Sequence, residues 1–171
     1  MHDLWLVKQH APDAEARLRE LRRLAPDLPL WQSTEGAMSY AYLPAHLQPQ
    51  GADWHALTRL QHIDGASAGQ SAPYHYVVET DVLPEYEEEL NAWYAQEHLP
   101  GLAAVPGTVH AVRYRDPAGT PRYYACYDLV SLQTMGSAPW LAARATAWSD
   151  RVRPAFRNTK RTLFSRIEKR G

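Results

Sequence analysis

One stretch, YHYVVETDVLPEYEEELNAWYAQEHLP at residues 74–100, determines the fold predicted for this chain. Residues 74–81 are β-branched and aromatic, which is typical of a strand. Pro84 suits the start of a helix, and the acidic residues that follow it complement the positive end of a helix dipole. The stretch therefore predicts a strand and then a helix over residues 85–98 that ends at Leu99-Pro100.

The residues after this stretch alternate between strand and helix signals. Asp116-Pro117-Ala118-Gly119 is a hairpin turn signal. The pattern predicts strands at residues 108–115 and 122–130 and from Arg161 onward, with a helix at 138–152. That helix has one apolar stripe, formed by Trp140, Leu141, Trp148 and Val152. The resulting order, β-α-β-β-α-β, is the ferredoxin-like arrangement.

Residues 1–70 carry a shortened version of the same pattern. LWLVKQ, PLWQST and MSYAYL are strand signals, and Pro12 precedes a helix with Leu18, Leu21 and Leu24 on one side. LQPQGADWHALTR at 47–59 also matches LQTMGSAPWLAAR at 132–144, with a Trp beginning a helix in both. We therefore predict two domains, residues 1–70 and 71–171, joined by a small polar linker at Gly65–Ser71.

The predicted fold class is α+β, with two ferredoxin-like β-α-β-β-α-β units in tandem whose sheets face each other and form an α/β barrel. An apolar sheet face of this size is rarely left exposed to water. If the internal duplication is real, one chain closes the barrel alone. Otherwise a second chain must cover the sheet, and we predict a homodimer.

The composition excludes several classes of function. The net charge is −1 and the charged fraction is 22%, so nothing indicates binding to nucleic acid or to an anionic membrane. No apolar run is long enough to span a membrane, and no signal peptide is evident, so a cytoplasmic location is predicted. The single cysteine, Cys126, forbids an internal disulfide. Six Trp and ten Tyr suit a wet cavity or an interface, or simply amphipathic sheet surfaces.

Glu97 and His98 are the residues of the helix that could carry chemistry. Glu97 falls on the apolar side of the helix, where a carboxylate must be paired or protonated. It is either an ion-pair partner of Arg113 or Arg115 or a member of a site. His98, with Tyr94 and Asn91 one and two turns earlier, is either a cation at a helix C-terminus or a general acid/base.

Two further histidines, His75 and His110, lie in predicted strands and would line a cavity if they point inward. The remaining histidines have no ligand spacing, so no metal site is predicted. No glycine-rich phosphate loop and no G-x-S-x-G motif is present, and no cofactor is predicted.

With the element order and the segment N-A-W-Y-x-x-E-H-L-P in place, residues 74–168 resemble the dimeric α/β-barrel superfamily, most closely its EthD-like members. The matching residues are Trp93, His98, Pro100, Pro106, Gly107, Arg113, Tyr114 and Trp140. The resemblance implies chemistry on small, often aromatic compounds in a barrel. It also implies a site at His98, Tyr94 and Asn91. His75, Trp93, Glu97, His110, Arg113 and Tyr127 are the candidate ligand-binding residues.

Four functions are consistent with this pattern. The first is a cofactor-independent enzyme that moves protons on a small aromatic or polyketide-like carbonyl compound, with His98 as base and Tyr94 or Tyr127 as hydrogen-bond donor. It would be of the isomerase, cyclase, dehydratase or monooxygenase type. The second is a protein that only binds a small apolar or aromatic ligand. The third is a haem-binding barrel, and the fourth is a purely structural or assembly role.

Overall fold

The computed structural model describes residues 1–11, 14–49, 51 and 53–168, and these form eight strands and five α-helices. The strands are β1 (Leu4–His10), β2 (Leu30–Ser33), β3 (Met38–Pro44), β4 (Trp54–Asp64), β5 (Tyr74–Val82), β6 (Thr108–Arg115), β7 (Tyr123–Leu129) and β8 (Phe156–Arg166). The helices are α1 (Ala14–Leu24), α2 (Glu87–Trp93), α3 (Leu99–Ala103), α4 (Ala138–Arg144) and α5 (Ala147–Val152). None of these helices is both long and apolar enough to cross a bilayer.

The eight strands form one closed barrel in the order β1-β3-β2-β8-β5-β7-β6-β4. The first four strands make a sheet ordered β4-β1-β3-β2, and the last four make a sheet ordered β8-β5-β7-β6. Both orders are the ferredoxin-like one. Antiparallel pairing of β2 with β8 and of β4 with β6 joins the two sheets. The predicted fold class is confirmed, and a single chain closes the barrel.

Among its described residues, the N-terminal unit has no second helix, although the match between residues 47–59 and 132–144 predicted one. Trp54 begins strand β4 instead. Pro12, Gln50 and Ala52 lie outside the described residues. The prediction was wrong because long-range pairing decides the conformation here. Residues 54–57 pair with β1 and residues 58–64 pair with β6, so the segment bridges the two sheets.

The helix of the opening stretch does not end at Leu99-Pro100. After α2, residues Tyr94–His98 form a π-helical turn, and α3 continues to Ala103. Pro100 has no N–H to donate, so the usual hydrogen-bond ladder cannot pass through it. The wider turn accommodates this loss, with the Leu99 N–H bonded to the Tyr94 carbonyl and Gln61 Nε2 donating to the Ala95 carbonyl at 3.3 Å.

The predicted helix at 138–152 is two short helices, α4 and α5. The break falls at Ala145-Thr146, where the Thr146 hydroxyl caps α5 by accepting a hydrogen bond from the Ser149 N–H at 3.0 Å. The last strand begins at Phe156, five residues before the predicted start at Arg161.

Buried side chains form three clusters that show which face of each strand is enclosed. One cluster lies inside the barrel and takes residues from strands all round it, including Leu6, Trp31, Tyr40, Leu57 and Phe164. A second joins the outer face of the C-terminal sheet to helices α2–α5. A third packs α1 on the outer face of the N-terminal sheet. Ligands could therefore lie inside the barrel or in the helical layer outside it.

The segment predicted as a linker, Gly65–Ser71, is packed against the C-terminal unit. Gly65 N–H donates to the Val109 carbonyl and Ala66 N–H to the Ala103 carbonyl, both at 2.8 Å. A Cβ atom at Gly65 would lie 2.0 Å from the Thr108 carbonyl oxygen, so only glycine fits this approach. The boundary between domains at residues 70 and 71 stays a prediction.

Candidate functional site

His98 lies in the helical layer on the outer face of the C-terminal sheet. Its side chain is 5% exposed, and its ring stacks on Trp93 with centroids 4.1 Å apart and planes 15° apart. The edge of Tyr94 closes a second side at 5.3 Å. The resemblance implied chemistry inside a barrel with a site at His98. This location is wrong for His98, because a helix of a ferredoxin-like unit packs on the face of its sheet that points away from the barrel.

A small cavity, which we call the helix-layer cavity, lies beside His98. Its free volume is about 20 Å³, enough for a water molecule. The lining side chains are aromatic or cationic with few exceptions: Tyr76, Val78, Trp93, Tyr94, His98, Leu102, Tyr127, Trp140, Arg144, Arg153, Phe156 and Arg161. Of the predicted ligand-binding residues, Trp93 and Tyr127 therefore lie beside His98, together with the predicted catalytic Tyr94.

Two buried polar atoms of the residues that line this cavity have no hydrogen-bond partner among the described residues: His98 Nδ1 and the Tyr127 hydroxyl. A buried polar group without a partner costs about 1–3 kcal/mol. Native proteins rarely retain such groups unless a water, an ion or a ligand satisfies them. Because His98 and Tyr127 line the same cavity, one bound molecule could satisfy both.

The environment of His98 keeps its imidazole neutral. Burial, and then the positive charges of Arg153, Arg144 and Arg113, lower its pKa from 6.5 to about 3, against a weaker opposing effect from a hydrogen bond with the Ala143 backbone. The interpretation of His98 as a cation at a helix C-terminus is therefore wrong. Burial also raises the pKa of Tyr127 well above its usual value, so its hydroxyl stays protonated.

The low pKa of His98 predicts a loss of stability in acid. The unfolded chain takes up a proton near pH 6.5, whereas the folded protein does so only near pH 3. The free energy of unfolding therefore falls as the pH drops through this window, by about 2–3 kcal/mol at pH 4.5 from this group. Urea unfolding at pH 7.5 and 4.5 measures the change. His98→Gln should lose that part of it, whereas an unchanged difference would contradict the neutral, buried imidazole.

Arg113, from strand β6, is a second unusual group in the same layer. It is 3% exposed, and its guanidinium lies between the rings of Tyr94 at 4.1 Å and Tyr123 at 4.8 Å. Its Nη1 donates to Asn91 Oδ1 at 2.7 Å, but Nε and Nη2 have no partner among the described residues. No carboxylate of the described chain pairs with it. A buried cation in this state is suited to stabilise a negative charge on a ligand.

Asn91 connects Arg113 to the solvent side of the layer. Asn91 Nδ2 donates to the Tyr123 hydroxyl at 3.3 Å, and that hydroxyl donates to Glu87 Oε1 at 2.6 Å. Asn91 and Arg113 also line a surface cavity of about 220 Å³ beside the helix-layer cavity. The structure therefore brings the predicted residues Asn91, Tyr94, His98 and Arg113 into one layer, with Tyr94 between Arg113 and His98.

Glu97 positions the aromatic wall of the cavity. Its Oε2 accepts hydrogen bonds from Trp93 Nε1 at 3.1 Å and from the Thr146 hydroxyl at 2.8 Å. The alternative that Glu97 forms an ion pair with Arg113 or Arg115 is wrong, since its hydrogen bonds go to the indole and the α5 cap. Because His98 stacks on that indole, Glu97 holds the surface against which the imidazole rests.

His75 lies elsewhere, inside the barrel at one end. Its Nδ1 is 2.6 Å from Asp128 Oδ1 and its Nε2 is 2.7 Å from the Tyr42 hydroxyl. The ring also stacks on Trp31 at 4.7 Å. The sequence pattern singled out His75 but not Tyr42, Asp128 or Trp31. These residues come from strands β2, β3 and β7, and only the register of the closed barrel places them together.

His110 forms a separate cluster with His62 and Asp64 where β4 pairs with β6. Asp64 Oδ1 is 3.6 Å from His62 Nε2 and 3.5 Å from His110 Nδ1, and the ligand atoms of the three residues lie within 4.8 Å of one another. These side chains could hold a divalent ion such as zinc. Spacing along the sequence did not predict this cluster, because strand pairing brings residues 62–64 opposite 110–112.

Neither the cavity at His98 nor the cavity at His75 has the size that a haem needs. Pockets for drug-sized ligands measure about 300–1,000 Å³. The cavity at His98 has about 20 Å³ and the one at His75 about 180 Å³. The residues present therefore do not fit a porphyrin beside either imidazole.

The sequence matches no protein-family model and no curated protein. Solved structures do share the fold. An uncharacterized ferredoxin-fold protein related to antibiotic biosynthesis monooxygenases, from Listeria monocytogenes 4b F2365, has a TM-score of 0.66 and 9% identity over 99% of this chain and 97% of its own. A heme-degrading enzyme from Listeria monocytogenes has a TM-score of 0.64 and 11% identity over 94% and 98%.

An anthrone oxidase-like protein is also similar, with a TM-score of 0.57 and 14% identity over 99% of this chain and 93% of its own. Identities this low establish the fold only. The fold shared with these neighbours is the ferredoxin-like one, which is the fold named for the Listeria monocytogenes 4b F2365 protein. Membership of the EthD-like branch stays a prediction.

Proposed function

We propose that the protein is an enzyme that transfers a proton on a small aromatic carbonyl compound without a cofactor, at the helix-layer cavity. The observation that carries this proposal is the pair of buried polar atoms that line one cavity without a partner among the described residues, His98 Nδ1 and the Tyr127 hydroxyl. A neutral imidazole accepts a proton, and a phenol hydroxyl donates a hydrogen bond to the oxygen that becomes negative when an enolate forms.

The surrounding charges favour an intermediate that is an anion. Arg113 places its guanidinium behind Tyr94, and Arg144, Arg153 and Arg161 line the cavity. A developing enolate lowers the energetic cost of bringing these cations together. The same negative charge offsets the effect of the arginines on His98, so the pKa of its imidazole rises when the intermediate forms, which makes proton uptake easier.

The free volume of the cavity requires movement on binding. About 20 Å³ does not hold an aromatic ring, so the ring must displace side chains. Arg161 is exposed, and Arg144 and Arg153 are half-buried, so these long side chains can move without opening the core. We expect a ring to enter from this side and to rest among Tyr76, Trp140 and Phe156.

The names of the structural neighbours support a reaction on an aromatic compound, although they do so only by analogy of fold. They include a monooxygenase-related protein, a heme-degrading enzyme and an anthrone oxidase-like protein. The reaction type within the isomerase, cyclase, dehydratase and monooxygenase classes stays open in this proposal, because each of these reactions can begin with removal of a proton beside a carbonyl group.

The test is exchange of an acidic C–H with deuterated water, which requires proton transfer and no later step. With 2-tetralone and anthrone as probes, proton NMR should show exchange at least about 100-fold faster than in buffer alone. An anionic ring such as 2-naphthoate should compete. Exchange at the buffer rate with both probes would contradict the proposal.

A protein that only binds its ligand is the second candidate, and the pKa of about 3 favours it because so weak a base removes protons slowly. In this case 2-naphthoate would raise the melting temperature while 2-tetralone exchanged at the buffer rate. The cytoplasmic location stays a prediction. The homodimer also stays a prediction, but a second chain is not needed to close the barrel. Light scattering on the purified protein would test the dimer.

A further inference from the structure

We propose that one end of the barrel interior is a second binding site, for a small neutral or cationic aromatic molecule that carries an N–H or O–H donor. The site is built around His75 and is separate from the helix-layer cavity. It does not depend on the function proposed for His98.

A cavity of about 180 Å³ opens at this end of the barrel, with Trp31, Tyr42, Tyr114 and Val112 among its walls. An apolar cavity of about 150 Å³ in another protein holds one benzene molecule. The barrel cavity therefore has room for one ring or two fused rings without any rearrangement. In this respect it differs from the helix-layer cavity.

The walls of the barrel cavity are held in place by a chain of hydrogen bonds. Asp128 Oδ1 lies 2.6 Å from His75 Nδ1, and the Tyr42 hydroxyl lies 2.7 Å from His75 Nε2. Since the carboxylate only accepts, Nδ1 donates to Asp128, and Nε2 shares the second hydrogen bond with the Tyr42 hydroxyl. His75 is 4% exposed and stacks on Trp31 with planes 19° apart. A preorganised wall of this kind reduces the entropy cost of binding.

Two polar groups at the barrel cavity remain available to a ligand. The Tyr114 hydroxyl makes no hydrogen bond with any described residue, although the Tyr114 ring lies beside Tyr42 at 6.2 Å. Asp128 uses one oxygen for His75, and its side chain is 27% exposed. A ring stacked in this cavity could therefore donate an N–H or O–H to the carboxylate. Aromatic ligands without a donor would leave Asp128 partly desolvated and should bind more weakly.

The charge at the barrel cavity selects against anions. Asp128 is a lining residue, and none of the described residues in the lining is an arginine or lysine. The helix-layer cavity has the opposite character, since three arginines line it. The two cavities should thus divide aromatic compounds by charge, with anions at His98 and neutral or cationic donors at His75.

The experiment compares indole, a neutral N–H donor, with indole-3-acetate, its anionic counterpart, by calorimetry and thermal unfolding. Indole should bind the wild-type protein at least about 10-fold more tightly than indole-3-acetate. Val112→Phe should fill the cavity and weaken indole binding at least about 10-fold. Leu60→Phe, which adds bulk at an exposed position, is the matched control and should leave indole binding unchanged.

Two further variants keep the test decisive if Val112→Phe does not fold. Asp128→Asn retains an acceptor for His75 but removes the charge, so it should reduce the preference for indole over indole-3-acetate. His98→Gln should leave indole binding unchanged. The proposal is overturned if indole does not bind at millimolar concentration or if Val112→Phe folds and binds it as well as wild type. It is also overturned if the preference survives Asp128→Asn or if His98→Gln abolishes indole binding.

Discussion

Replacing His98 with Gln should slow deuterium exchange of 2-tetralone by about 100- to 10,000-fold relative to the wild-type protein, which is the usual contribution of a positioned acid or base. Gln is close to His in size, so the stacking surface on Trp93 remains covered. Its amide can accept a hydrogen bond but does not take up a proton near neutral pH. Proton NMR in deuterated buffer measures the rate.

Binding should separate from catalysis in this variant. Arg144, Arg153 and Arg161 are untouched, so the dissociation constant of 2-naphthoate, measured by calorimetry, should change less than about 10-fold. His46→Gln is the matched control, because His46 is exposed and is not part of the cavity lining. Equal exchange rates in His98→Gln and His46→Gln would rule out His98 as the base.

Replacing Glu79 with Leu should destabilise the protein by about 3–5 kcal/mol, the typical cost of leaving a buried charge without its partner. Glu79 is 1% exposed inside the barrel. Its Oε1 accepts from Lys8 Nζ at 2.6 Å and its Oε2 from the Tyr40 hydroxyl at 2.7 Å. Without Glu79, the Lys8 ammonium keeps only the Tyr124 hydroxyl, at 2.8 Å, among the described residues. Urea unfolding at pH 7.5 measures the change.

A double variant distinguishes the ion pair from the loss of packing. Lys8→Met combined with Glu79→Leu removes both charges, so its cost should be clearly smaller than that of Glu79→Leu alone. The Tyr40 hydroxyl loses its acceptor in both variants, and that contribution cancels in the comparison. A double variant as unstable as the single one would show that the Lys8 charge is not the cause.

Local patterns were sufficient to predict most elements of the C-terminal unit. The run of β-branched and aromatic residues at 74–81, the turn at Asp116–Gly119 and the helix that starts near Pro84 all appear in the structure. They succeed because strand and turn preferences there agree with the tertiary fold. The helix predicted at Trp54 failed because pairing with β1 and β6 outweighed a local likeness to residues 132–144.

The residues of the candidate site in the helical layer were partly predictable. Asn91, Tyr94 and His98 share one helical segment, so their spacing by itself indicates that they lie on neighbouring turns. Neither the displacement of His98 to the outer face of the sheet nor the surroundings of Arg113 follow from spacing. An isolated helix also does not show that Glu97 bonds to Trp93 and Thr146, since Thr146 is far away in the sequence.

The sequence by itself determined the order of strands and helices in the C-terminal unit, its ferredoxin-like pattern and the aromatic helix that carries His98. These depend on periodicity and on turn residues, which act over a few neighbouring positions. The tertiary structure alone decided that one polypeptide closes the barrel and that His98 is neutral. It also decided that hydrogen bonds link Asp128 to His75 and His75 to Tyr42. These properties arise from burial and from contacts between distant strands, and neither can be calculated from local spacing.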